Sequence, residues 1–313
     1  MALVQVICRP SRSDGWAACG LVATAFIWGS LVPIIGALRD SYDPLTILLL
    51  RYLPAQPILL LAVILAERRW PFAGPMPWAR VLHLSSFGML GFSALHTLGI
   101  VLSDPVIAAV VTNFAPLTAA LVAKQLTGAA LPRGLGYAMI LAIVGGALVV
   151  TGTADAGPRN LHGGEVLLVA SQVCWTWYSI KAQAWLAPIG FSQLRIAAVT
   201  SGLGSILLVA AYPVVLVFGA LSLPAIDTAP VHVAVLLWVG IAGSGVGLLF
   251  WNAGVSRLGV AVATLYLNLI PIFAVLVAAA YGAPISLQQA LGGLLVIAGV
   301  IQMQARRLRT REG

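Results

Sequence analysis

Two asparagines stand three residues ahead of two prolines inside long apolar runs, Asn113 with Pro116 and Asn268 with Pro271. An amide within a bilayer brings a donor and an acceptor to a place without water. Each proline leaves the carbonyl four residues earlier, at Thr112 and Leu267, without its intrahelical donor. Residues three apart share one helical face, so each pair combines a solute site with a hinge. The plainer alternative is a kink satisfied by neighbouring helices. Arg51 and Arg195 also fall inside apolar runs. A guanidinium there attracts an anionic group, takes part in a gate, or binds helix-end carbonyls. His96 lies well within its run, where it binds solute, exchanges a proton near neutrality, or hydrogen-bonds as a packing residue. Aromatics gather at Trp28, Trp175, Trp177, Tyr178, Phe250, Trp251 and Tyr266. Trp28, Trp177, Trp251 and Tyr266 are too deep for an interfacial belt. With Tyr178, Ser30 and Asn252 they form a mixed wall suited to an amphipathic solute.

The elements that carry these residues follow from composition. The chain has 313 residues, 60% hydrophobic and 8% charged, too few charges to cover a soluble surface. Apolar runs recur near the ~20 residues that span a hydrocarbon core. The expected fold is an all-α polytopic membrane protein with ten transmembrane helices. They fall at 16–38, 44–66, 81–102, 105–124, 134–152, 163–184, 192–217, 232–251, 258–281 and 286–304. Asp43-Pro44, Asp104-Pro105, Gly157-Pro158 and Ala283-Pro284 mark turns between runs. Pro213 either kinks or ends the seventh helix. With a cytoplasmic N-terminus, thirteen Lys and Arg fall in inner segments and two, Arg39 and Arg159, in outer ones. That bias predicts a multi-pass protein of the cytoplasmic (inner) membrane with both termini cytoplasmic.

The chain also repeats itself. Shifted by 155 residues, 103–124 falls on 258–279, placing Asn113 on Asn268 and Pro116 on Pro271. Further matches align Trp28-Gly29-Ser30 with Trp177-Tyr178-Ser179, Arg51 with Arg195, His96-Thr97 with Trp251-Asn252, and Gly145 with Gly299. Five helices is an odd number, so the second copy enters the membrane inverted. The expected division is a tail at 1–15, repeats at 16–157 and 158–305, and a basic tail at 306–313. Inverted repeats point to a secondary transporter, because two similar halves exchange inward-open and outward-open shapes.

In this order the motifs resemble the drug/metabolite transporter superfamily, in particular its two-domain EamA-type branch. The resemblance rests on Trp28-Gly29 with Trp177-Tyr178, the lone Arg51 and Arg195, and the fourth helices NFAPLTAALVA and NLIPIFAVLVA. The Gly-rich last helices IVGGALVV and LGGLLVIAGV complete it. Where relatives end the fourth helix of each half with Gly-Glu, this chain has Thr127-Gly128-Ala129 and Gly282-Ala283-Pro284. The resemblance implies a basket in which helices 1–4 and 6–9 surround a central cavity, with helices 5 and 10 peripheral. It also implies export or exchange of small polar metabolites, amino acids or drug-like solutes.

Other classes find less support. The net charge of +8 is scattered over short loops, so nucleic acid is not an expected partner. Cys8, Cys19 and Cys174 have no metal-ligand or CxxC spacing, and neither metal nor cofactor is expected. An intramembrane enzyme or a channel is the alternative, but HExxH and intramembrane GxSxG motifs are missing, and a channel needs no matched inverted kinks. Glu165 and Asp104 sit at helix N-termini, and the first helix carries Ala25-Phe26-Ile27 without a glutamate. Proton antiport through a central carboxylate is therefore disfavoured. Expected partners are a small-molecule solute and the lipid bilayer. Gly145-Gly146 and Gly292-Gly293 are small enough to pack a homo-oligomer or the bundle itself.

Overall fold

Backbone polar groups find no water inside a bilayer, and the described parts of this chain answer with helices. The computed structural model describes residues 12–38, 49–50, 52–103, 111–112, 114–128, 135–151, 163–218, 230–282 and 285–312. Arg51, Asn113 and the four Pro turns named above lie outside the described residues. The helices are α1 (Arg12–Leu38), α2 (Ala55–Glu67), α3 (Trp78–His83), α4 (Phe92–Val101), α5 (Ala115–Thr127) and α6 (Leu135–Thr151). They continue as α7 (Gly164–Leu186), α8 (Gln193–Phe218), α9 (Pro230–Trp238), α10 (Gly247–Leu258), α11 (Val260–Leu267), α12 (Ile270–Ala280) and α13 (Leu287–Glu312).

Four described segments are long and apolar enough to cross a membrane: Trp78–Gly99, Gln193–Pro213, Pro230–Leu258 and Val260–Ala280. Leu65, Ile140, Ile206 and Leu294 stand mostly exposed, as expected where lipid is the solvent. α8 runs through Pro213 to Phe218, so the proline does not end it. Two boundaries differ from expectation. The rod expected to stop at 251 continues to Leu258, where Gly259, at φ 80°, turns the chain. The last helix reaches Glu312, so the expected tail from 306 is helical in its backbone.

Two π-helical segments interrupt the rods, Leu84–Gly91 joining α3 to α4 and Val239–Val246 joining α9 to α10. They lie 155 residues apart, the spacing of the repeat in the sequence. Both are rich in Gly and Ser, and both meet a helix at closest approach. Gly88 faces Tyr178 and Gly243 faces Leu31, in each case too closely for a Cβ.

These crossings correct the expected register. Gly99 meets Leu168, and Gly254 meets Leu21. Leu21 and Leu168 are 147 apart, as are Leu31 and Tyr178. The counterpart of Trp28 is therefore Trp175, not Trp177. A Cβ on Gly145 would lie 2.5 Å from the Gly292 carbonyl oxygen, and the converse distance is the same. Gly145 thus pairs with Gly292 where Gly299 was expected. α6 and α13 close these glycines against each other within one chain, the second of the two uses open to them.

Candidate functional site

Both predicted breaks form, and two backbone bonds recur at matched places. At the first, Phe114 N–H donates to Val111 C=O (3.0 Å) and Thr118 N–H to Phe114 C=O (3.1 Å). At the second, Leu269 N–H donates to Tyr266 C=O (3.0 Å) and Phe273 N–H to Leu269 C=O (3.0 Å). Pro116 and Pro271 sit in the first turn of α5 and α12. A missing N–H costs nothing at that position, so each proline starts a half-helix.

The side chains around the breaks differ. Gln172 of α7 is buried, and its Nε2 donates to the carbonyls of Val111 (3.0 Å) and Thr112 (3.4 Å). Its Oε1 accepts from Thr118 Oγ1 at 3.0 Å. One amide thus ties the chain before the break to α5 after it. The Thr112 carbonyl, expected to be open, is taken. At the second break Asn268 is 2% exposed, and its Nδ2 has no partner among the described residues. In the 147-residue register the place of Gln172 falls to Ala25, which has no amide to offer. Stranding a buried amide donor costs about 1–3 kcal/mol, which makes the atom a candidate for a ligand.

Three indoles gather beside this region. Trp28 and Trp175 centroids are 5.9 Å apart, Trp28 and Trp251 6.1 Å, and Trp175 and Trp251 5.6 Å. Contacts of this kind contribute about 0.5–1.5 kcal/mol each beyond burial. Trp28 Nε1 donates to the Gly243 carbonyl (2.9 Å) within the second π segment. Wide turns of this kind concentrate at functional sites. Trp251 Nε1 donates to Ser179 Oγ (3.0 Å), which donates to the Trp175 carbonyl (2.8 Å). Tyr178 Oη lies 3.0 Å from Thr200 Oγ1 and accepts from Asn252 Nδ2 at 3.4 Å. Asn252 Oδ1 and Ser244 Oγ, both buried, have no partner among the described residues. Ser30 Oγ donates to Ile27 C=O and accepts from Trp238 Nε1 (3.2 Å).

His96 stacks on Phe92 at 5.2 Å, and Phe92 lies 4.9 Å from Trp175, which puts the imidazole at the margin of the cluster. Tyr266 is buried, and its carbonyl closes the second break. Trp177 is not part of the group. It rests against Phe87 and Trp185, because residues 175 and 178 share a face of α7 that 177 does not. The site therefore gains Trp175, Ser179, Thr200 and Gln172. The three-residue spacing of Trp175 and Tyr178 was the available signal for the first.

Arg195 stands apart from the centre. Its Nε donates to Pro71 C=O (2.8 Å), its Nη2 to Ala73 C=O (2.6 Å), and its guanidinium lies 3.9 Å from the Phe191 ring. Ser192 Oγ donates to Glu67 beside it. These bonds fasten the start of α8 to the connection after α2. They join the second half of the chain to the first.

The EamA-like transporter family model matches the chain twice, over residues 15–151 and 162–303. A probable terminal-alkyne amino-acid exporter of Streptantibioticus cattleyicolor is 27% identical over 94% of this chain and 95% of its own. An uncharacterized transporter of Archaeoglobus fulgidus is 26% identical over 92% of this chain and 96% of its own. The uncharacterized transporter YyaM of Bacillus subtilis is 26% identical over 70% of each chain. A protein of known crystal structure, 18% identical, shares the fold with a TM-score of 0.73, covering 92% of this chain and 98% of its own.

Proposed function

Since the chain belongs to the EamA-like transporter family and is a multi-pass membrane protein, we propose that it exports a small metabolite, amino acid or drug-like solute by alternating access. Ten spans then form two inverted five-helix units, 16–157 and 158–305, in the cytoplasmic membrane with both termini inside. The observation that carries this reading is the pair of matched breaks, one of them holding a buried amide donor with no partner among the described residues. Cargo takes the stranded Asn268 Nδ2 and Asn252 Oδ1 and lies against the Trp28, Trp175 and Trp251 rings. Asn113 and Tyr266 contribute from the two breaks, and His96 from the margin. Pro271 lets its half-helix swing, while Gln172 holds the half-helix that Pro116 starts. Arg195 closes the inner face through Pro71 and Ala73, and Arg51 is its counterpart towards the outer face. The name of the Streptantibioticus relative favours amino acids among the possible cargoes.

Counterflow into proteoliposomes, run over a panel of amino acids and small polar metabolites, tests the reading. Saturable uptake of at least one solute is expected. No saturable flux with any of them sinks the carrier.

A further inference from the structure

The connection between α2 and α3, whose Pro71 and Ala73 carbonyls engage Arg195, also holds a basic and aromatic surface. α2 ends at Glu67, and Arg68 turns the chain with φ 56°, in the left-handed region that few non-glycine residues occupy. Phe72 and Trp78 then stack with centroids 6.0 Å apart, and Trp70 lies 6.3 Å from Phe72. Trp70 and Trp78 are 52% and 55% exposed. Indoles left open in this way sit at membrane–water interfaces.

Four guanidiniums share this surface with one carboxylate. Glu67 pairs with Arg69 at 2.9 Å, and Arg195 is engaged with the Pro71 and Ala73 carbonyls. Arg68 and Arg80 are exposed, and neither side chain has a partner among the described residues. A cavity of about 540 Å³ is bounded by Ile64, Leu65, Arg68, Arg69 and Trp70. It opens beside the exposed apolar flank of α2, where Leu61 and Leu65 stand 54% and 67% exposed. A second cavity of about 720 Å³ adjoins it across Arg69 and is lined by Arg80, Arg195 and Trp78.

We infer that this connection is a binding site for an anionic glycerophospholipid, its phosphodiester held by Arg68 and Arg69 and its acyl chains laid along Leu61 and Leu65. Guanidinium forks match phosphate oxygens two at a time, and the excess of positive charge favours an anionic over a zwitterionic head. Only a molecule with an anionic head and a long apolar tail uses the arginines, the interfacial indoles and the leucine flank together. Arg80 adds positive potential from the adjoining cavity. On the orientation proposed above, the lipid comes from the inner leaflet. Its head then rests on the segment that Arg195 and Ser192 fasten to α8, so occupancy steadies that closure.

Native mass spectrometry of the full chain, released from nanodiscs holding equal phosphatidylglycerol and phosphatidylcholine of matched chains, tests the site. Preferential retention of phosphatidylglycerol is expected. The Arg68→Asn/Arg80→Gln variant, in which asparagine tolerates the left-handed backbone, should lose that lipid about 30-fold, from two surface guanidiniums. Lys124→Gln, which removes an exposed charge elsewhere, should retain it as the unaltered chain does. Equal retention of the two lipids overturns the inference, as does an unchanged double variant. Displacement of the bound lipid by millimolar inorganic phosphate also overturns it, by making the site one for free phosphate. An unchanged unfolding temperature of the double variant in phosphatidylcholine alone separates lost binding from lost folding.

Discussion

The breaks at 111–118 and 266–273 share two backbone hydrogen bonds and have opposite surroundings. The first is tied across by Gln172, which satisfies carbonyls on one side and Thr118 on the other. The second keeps a buried amide donor without a partner among the described residues, and Gly29 is pressed to its backbone at Ile270. A proline-started half-helix is thus not a hinge or a site by itself. The neighbouring helix decides, by supplying an amide or withholding it. One break becomes a fixed strut of α7, and the other is left able to receive a ligand.

The difference can be broken from either side. Gln172→Ala gives the first break the residue that the second has at Ala25. Loss of the tie leaves buried polar groups unpaired and should cost about 2–3 kcal/mol, seen as a lower unfolding temperature in the same detergent. An unchanged temperature would mean that the tie holds nothing. Asn268→Ala should do the reverse. Its Nδ2 has no bond to lose among the described residues, so stability should fall by less than about 1 kcal/mol, while counterflow falls about tenfold through a lost bond to cargo. Flux equal to that of the unaltered chain would remove Asn268 from the site. The smallest contrast lies between neighbouring indoles. Trp175→Phe should slow counterflow severalfold, since Trp175 touches Trp28, Trp251, Phe92 and Tyr178. Trp177→Phe should stay within about twofold, because aromatic contacts act only over their short range. The opposite ranking would put the solute on the other face of α7.

Much of the site is visible in one dimension. Asn268, Pro271, Trp251 and Asn252 announce themselves because polar and helix-breaking residues are costly in an apolar run, and duplication shows the cost twice. Trp175 and Gln172 are less visible. The 155-residue spacing holds through the π segments and the breaks, but the first and last helices of each half follow 147. Sequence alone sets Trp28 on Trp177, two residues from its partner in space, Trp175. Loop lengths set such shifts, and only a crossing such as Gly99 on Leu168 beside Gly254 on Leu21 reveals them.

By itself the sequence determined the membrane class, most helix positions, the repeat and the two breaks. These follow from hydropathy, backbone chemistry and local steric limits, all of which act between near neighbours in the chain. The tertiary structure alone decided that Gln172 closes one break, that the other keeps a stranded amide, and that Arg195 ties α8 to the Pro71 and Ala73 carbonyls. Hydrogen bonds reach only about 3 Å, so their partners are chosen by which helices meet and in what rotation. Residues 60 or 120 positions apart acquire that relation only when the bundle closes.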